Sequence, residues 1–390
     1  MLFKVTEGLT NHRKNIAFES NRRLLSNTST ANPTTGNAKS RLGLKTIAAV
    51  AIIPTAYMAY DYFRRKQEKI NYKEPDIVTV DRIPNVPIDY KIVGSNDKTN
   101  LDLILFRCQT CPFCCKMIAY LNSRGMSYSV VSVDEPFERR VKWSHYKQVP
   151  CVLARTKDGK YIELTNSSVV ISILAALTND PEQNIEDLAK MYPKISYVKA
   201  NGVKKHGIVN KYDLMYNGKL PKGVTLESIH EEFRWRDWAD HQFVHMVYPN
   251  IYRTHAEALE TYNWFSELGK WDQMYPSWMT YLMVHAGATY MFLISKRLKK
   301  RHHLWDDVRA QFYEVCNKWT DELDRLKTPF HGGKTPDLAD LAVFGAMNSF
   351  EGCQTFTDLM DNTRIKPWFI AMKENAEKNR GTIVAAGVTL

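Results

Sequence analysis

Residues 101–106 (LDLILF) form a short, almost uninterrupted apolar run that leads directly into Cys108-Gln109-Thr110-Cys111-Pro112-Phe113-Cys114-Cys115. A run of that length reads as a buried strand. Residues 116–121 (KMIAYL) then carry apolar side chains at helical spacing until Gly125, and 128–133 (YSVVSV) read as a second strand. Strand, CxxC, helix, strand is the context that lifts a CxxC pair above chance. It places Cys111 at a helix N-terminus, where unpaired backbone N–H groups and the helix dipole stabilise an anion. Pro112 at the first helical position loses no hydrogen bond there. The pattern predicts a nucleophilic thiolate at Cys111 with a lowered pKa, and Cys114 one turn on as a resolving or supporting thiol. Cys108, Cys111 and Cys114 are also spaced C-x2-C-x2-C, a spacing open to a zinc or iron–sulfur site. Cys151, Cys316 and Cys353 stand alone and supply no second pair. Cys115 turns to another side of the helix and reads as structural.

Two further segments agree with a thioredoxin-like fold. Gln148-Val149-Pro150 precedes a predicted strand at 151–154, where such folds set a cis-proline beside the reactive cysteine and expose the preceding backbone to a peptide or glutathione. Residues 164–171 (LTNSSVVI) read as a strand end, a cap and a helix. Asn166 and Ser167 would there present side chains and N–H groups to a carboxylate, such as the γ-glutamyl end of glutathione.

Charge bears on partners. The chain of 390 residues carries 53 Lys and Arg against 42 acids, a net +11. Residues 1–73 hold thirteen of those cations and four acids, so the other 317 residues carry only +2. That near-neutral body disfavours nucleic acid as a partner. Seven cysteines are too few for a disulfide scaffold and suit a reducing compartment. Residues 1–41 are rich in Arg, Ser, Thr and Asn and read as a targeting or unstructured segment. Residues 42–63 include an uncharged run at 46–60 and are expected to form a membrane anchor. Arg64-Arg65-Lys66 then favours a cytosolic body. The stretch 64–99 reads as a linker.

From residue 226 the pattern turns helical. Residues 229–248 carry aromatic and apolar side chains three and four apart, 280–298 are strongly apolar, and 304–326 are amphipathic. Asp337-Leu338-Ala339-Asp340 has a cap and a partner acid three residues on. The run 296–303 (KRLKKRHH) is a solvated helix end or a site for an acidic ligand. The stretch 179–225 reads as an insertion or linker. The predicted fold class is therefore α+β with two domains, a thioredoxin/glutaredoxin-like part at 100–178 and an all-helical part at 226–390. That is the architecture of glutathione transferases.

The chain resembles the membrane-associated prostaglandin E synthase type 2 family. The resemblance runs from about residue 101 to about 368. It is carried by TCPFC (110–114), QVP (148–150), LTNSSVVIS (164–172), WRDWAD (235–240), HMVYPNIYRT (245–254), YMFLISKRLK (290–299) and DLADLAVFG (337–345). It implies a membrane anchor, a homodimer, and a cleft that binds glutathione and haem. It implies as activity the isomerisation of prostaglandin H2 to prostaglandin E2. Cys111 would be the reactive cysteine, and with haem bound either it or the glutathione thiolate would ligate the iron. Cys114 would be its partner, and Cys108 or Cys114 would support it in catalysis. Val149 and Pro150 would hold the glutathione backbone, and Asn166 with Ser167 its γ-glutamyl group. Phe113, His245, Arg297 and Arg301 would line the cleft. The chain departs from the family at Cys108, where a catalytic tyrosine is usual, at Asn166, which replaces an aspartate, and at Tyr248 and His303. Alternatives to isomerisation are haem-dependent breakdown of the endoperoxide to hydroxy fatty acid and malondialdehyde, and a thiol-redox or scaffold role. The expected location is the Golgi or another endomembrane, or else the mitochondrion.

Overall fold

The computed structural model describes residues 78–385, apart from 82, 95–96, 98, 134–138, 199–203 and 219. The segment 1–41 and the anchor expected at 42–63 lie outside the described residues. The chain divides into two units, Met1–Lys73 and Glu74–Leu390, and the described residues all belong to the second. Among them no helix is long and apolar enough to cross a membrane.

Two short strands, β1 (Val78–Val80) and β2 (Tyr90–Val93), come before the CxxC motif. Then follow β3 (Leu103–Arg107), α1 (Pro112–Ser123), β4 (Tyr128–Ser132), β5 (Cys151–Arg155), β6 (Tyr161–Thr165) and α2 (Ser167–Asn179). The helix α1 crosses between β3 and β4, which pair in parallel. β5 runs antiparallel to β3, and β6 antiparallel to β5. Leu105 sits between Val130 and Val152 in this register. Side chains alternate across the sheet. Leu103, Leu105, Val130, Val152 and Leu164 face the main core, whereas Ile104, Phe106, Val131, Cys151 and Leu153 form a second cluster behind it. Both faces are covered, which is why 103–106 is apolar throughout. Each such side chain contributes about 1.5–3 kcal/mol by leaving water.

The sheet has seven strands, in the order β1-β6-β5-β3-β4-β2 followed by a last strand, β9 (Thr382–Ala385). This corrects two expectations. The stretch 64–99, read as a linker, supplies β1 and β2 within its described part. The part read as all-helical ends in a strand, β9 (Thr382–Ala385), which pairs with β2. Strands of three or four residues have no period of their own to read, and partners define them. The stretch 179–225 likewise is more than a linker, since it folds into α3 (Ile185–Lys190) and a hairpin of β7 (Lys194–Val198) and β8 (Lys204–Ile208).

The helical part comprises α4 (Leu226–Trp238), α5 (Val244–Ile251), α6 (His255–Leu268), α7 (Trp271–Met274), α8 (Ser277–Arg301), α9 (Val308–Leu326), α10 (Leu338–Asn348), α11 (Gln354–Asn362) and α12 (Lys366–Asn379). The single helix expected at 229–248 is interrupted by a wider π turn, Ala239–Phe243, that joins α4 to α5. The capping box at Asp337 is present: the Ala339 and Asp340 N–H groups donate to its carboxylate at 2.9 and 3.0 Å, and its own N–H donates to Asp340 at 3.1 Å. Trp319 anchors the core with Trp235 and Trp368, at ring separations of 5.2 and 5.4 Å. Phe344, Ala346 and Met347 of α10 join the same buried core as Met117 and Leu121 of α1, so the helical part closes over the helix that carries the cysteines.

Candidate active site

Cys111 is the N-cap residue of α1, with Pro112 at the first helical position, and no side chain caps the helix. The Cys111 N–H donates to the Cys108 carbonyl at 3.4 Å, which folds Cys108 back beside the motif. Cys111 is half-buried and Cys114 fully buried. The Cys114 thiol donates to the Cys111 sulfur, and this, with the Cys114 and Phe113 backbone N–H groups and the Lys116 charge, outweighs burial and lowers the Cys111 pKa. Burial and the neighbouring Cys111 push the Cys114 thiol well up. One thiol is thus readied as an anion and the other kept protonated, as the motif predicts. Cys115 donates to the Gln109 carbonyl at 3.1 Å and is buried, in keeping with a structural role. Cys108 lies 3.6 Å from the Thr110 hydroxyl.

The two other segments fall where the sequence sets them. The Val149–Pro150 peptide is cis. Among the described residues the Val149 N–H and C=O have no protein partner, which leaves both to a bound chain. Asn166 caps α2, accepting from the Val169 N–H at 3.4 Å, and its φ of 69° is uncommon for a residue other than glycine. Ser167 is buried beneath it. Unpaired backbone N–H groups at the start of α2 suit a carboxylate. These features fit glutathione.

The helical side is less uniform. Phe113 is half-buried, with the Lys116 ammonium 5.6 Å from its ring. The His245 ring stacks on His302 at 4.0 Å. Burial, then His302, His241 and Arg301, push the His245 pKa down to about 4. His245 is therefore a neutral imidazole at neutral pH. Arg297 and Arg301 are exposed, one turn apart on the last turns of α8.

Three residues that motif reading did not single out as functional belong here. Tyr248 of α5 stacks on Tyr252, with rings 6.1 Å apart and almost parallel. Burial first, and then charge on Cys111, Cys108, Cys114 and Cys115, pushes its phenol well up, so Tyr248 stands within electrostatic reach of the whole cysteine motif and stays protonated. Its departure from the family pattern was the one sequence signal. Lys116 and Asp240 form a buried pair at 2.5 Å. No local signal joins them, since 124 positions separate them.

Among the described residues no set of three or more Cys, His, Asp or Glu side chains is arranged to hold a metal ion. For haem, the Cys111 thiolate is the candidate donor at the start of α1. Two cavities, of about 140 and 440 Å³, lie elsewhere, the first between α1 and α12 and the second at the far end of α2, and no cysteine lines either.

A glutaredoxin family model matches residues 103–162. Over 281 residues the chain is 38% identical to prostaglandin E synthase 2 of Mus musculus, which covers 72% of this chain and 71% of that protein. Over 290 residues it is 35% identical to prostaglandin E synthase 2 of Danio rerio, covering 72% of this chain and 73% of the other. Among solved structures, glutathione transferase F7 from Populus trichocarpa superposes on 71% of this chain and 96% of its own, at 13% identity and a TM-score of 0.38.

Proposed function

The chain belongs to the prostaglandin E synthase 2 family, and we propose that it isomerises prostaglandin H2 to prostaglandin E2 with Cys111 as its reactive group. The conversion involves no net redox change. A hydrogen leaves the carbon beside one peroxide oxygen as a proton, and its electron pair becomes the ketone C=O. The O–O pair passes to the other oxygen, which takes up a proton and becomes a hydroxyl. A base and an acid on either side of the endoperoxide suffice.

The observation that carries this reading is the divergence of pKa values between Cys111 and the groups that act on it or feel its charge. Cys111 is lowered, whereas Cys114 and Tyr248 are raised. Groups whose surroundings push them apart in this way divide into base and acid. The Cys111 thiolate takes the carbon-bound proton, and the Tyr248 phenol donates to the departing oxygen. The proton then returns from Cys111 to the phenolate, restoring both. Tyr248 thereby supplies the phenol that the family carries at position 108, where a thiol is a weaker donor.

Glutathione is the proposed cofactor, held by the Val149 backbone and the start of α2, and bound there it brings a second thiol to the cleft. Haem ligated by Cys111 is the second reading, favoured by the lowered thiolate alone. The homodimer, the anchor at 42–63 and residence on an endomembrane with a cytosolic body, or in the mitochondrion, are proposed with the family.

The test incubates the purified full chain, with and without glutathione and haem, with prostaglandin H2. Prostaglandin E2 above the uncatalysed background, lost in Cys111→Ser, supports the isomerase. Hydroxy fatty acid and malondialdehyde accompanied by a Soret band replace it with the haem reading. No turnover under any condition rejects both.

A further inference from the structure

The Asp240 carboxylate, in the π turn between α4 and α5, is almost fully buried and grips two helices at once. Lys116 of α1 donates to its Oδ1 at 2.5 Å and to the Ser168 hydroxyl at 2.7 Å, and the Ser168 hydroxyl of α2 donates to its Oδ2 at 2.6 Å. Lys116 is five residues beyond Cys111, and Ser168 directly follows Ser167. The three side chains close a triangle beneath the two helix starts where a thiol and a γ-glutamyl carboxylate would sit.

The segment 179–225 reaches the same carboxylate. The Tyr212 hydroxyl donates to Oδ2 at 3.0 Å, and the Lys211 ammonium lies 3.1 Å from it. Arg236 of α4 completes the frame by donating to the carbonyls of Ser168 and Tyr212, at 3.1 and 2.6 Å. Burial alone would push the Asp240 carboxyl up, but Lys116 and Lys211 hold it well below the usual carboxylate range. Taking these charges out of water is costly, and apolar side chains would seal the interface at least as well. What apolar packing lacks is direction, which the hydrogen bonds supply. The π turn, a wider turn that often marks functional sites, is where the carboxylate enters.

We infer that Asp240 is a positioning residue that locks the thiol-bearing helix α1 to the γ-glutamyl-binding helix α2 and so fixes the span a bound glutathione must bridge. This rests on the reading above that glutathione lies across both helix starts. It makes the affinity for glutathione, which touches both helices, depend on a residue that touches neither ligand end. Reagents that meet α1 alone do not share that dependence.

Two measurements on the full chain test it. The first is the glutathione Kd by calorimetry for wild type, Asp240→Asn, Ser168→Ala and the double variant. The second is the rate of Cys111 alkylation by iodoacetamide, taken well above the thiol pKa so that ionisation is complete in each. The expected result is a glutathione Kd raised about 10-fold or more in Asp240→Asn and several-fold in Ser168→Ala, with the double variant no worse than Asp240→Asn alone. Alkylation rates should stay within about 3-fold, since one helix start suffices for that reagent. A general loosening of the fold would instead move both measurements together, and that outcome overturns the inference. So does an unchanged Kd in the single variants. If Asp240→Asn does not fold, Ser168→Ala decides, because it cuts the link to α2 and leaves the ion pair. Failure of the wild type to bind glutathione would reject the cofactor reading itself, which is a different result.

Discussion

Gly345 of α10 rests on the backbone of Lys116 in α1, so closely that a Cβ at position 345 would lie 2.3 Å from the Lys116 Cα and 2.6 Å from its nitrogen. Both obstacles are backbone, so no rotamer change relieves them. Alanine normally favours a helix by about 0.5–1 kcal/mol over glycine. Here overpacking should win, at about 1–3 kcal/mol of lost stability. Gly345→Ala is expected to lower the melting temperature, and a Tm at or above that of wild type would disprove so tight a seat.

The two thiols of the motif should differ in chemistry. With Cys111 lowered and Cys114 raised, alkylation read by mass spectrometry should mark Cys111 first. The midpoint of its pH–rate profile should lie below the ordinary thiol value of 9.0. Cys114→Ala removes the largest cause of that lowering and should move the profile towards higher pH. A profile that stays in place would show that backbone and Lys116 set the thiolate by themselves.

Tyr248→Phe keeps the ring on Tyr252 and removes only the hydroxyl. If the phenol is the proton donor, prostaglandin E2 formation should fall by about 100-fold, within the usual range for such a group. The Cys111 alkylation rate should change little. Equal turnover in the two proteins would return the donor role to Cys108 or Cys114.

His245 should titrate far from its usual value. Its folded pKa of about 4 lies below the ordinary 6.5, so the native state disfavours the charged ring. The stability it contributes is complete above the ordinary value and is lost as pH falls through the folded one. In an NMR titration of the histidine ring protons, one resonance, assigned by His245→Gln, should have its midpoint near 4. A midpoint near 6.5 would mean the ring is open to water and unaffected by His302.

What the sequence disclosed was local. The order of β3, α1 and β4, the N-cap placement of Cys111, the proline at 150, the cap at Asn166 and the Asp337 box each depend on residues a few positions apart, and all were readable. What stayed hidden depends on partners far along the chain. β1, β2 and β9 are too short to show a period, and only the sheet edges they meet define them. The break in the helix expected at 229–248 coincides with Asp240, whose partners Lys116 and Ser168 come from other helices. Tyr248 looked like a mere departure from a family pattern until the fold set it near four cysteines.

The pairing of β9 with β2, and of β2 with β4, has a consequence for anyone hoping to treat the glutaredoxin-like portion as a cassette. Cut out at 100–178, it would retain four of the seven strands and leave both outer ladders, β4 and β6, bare. Such a fragment would invite strangers to its flanks and would be prone to clump. The thiol-bearing part of the molecule is therefore no portable module: stretches before and after it in the chain hem the same fabric, and it travels only with the whole.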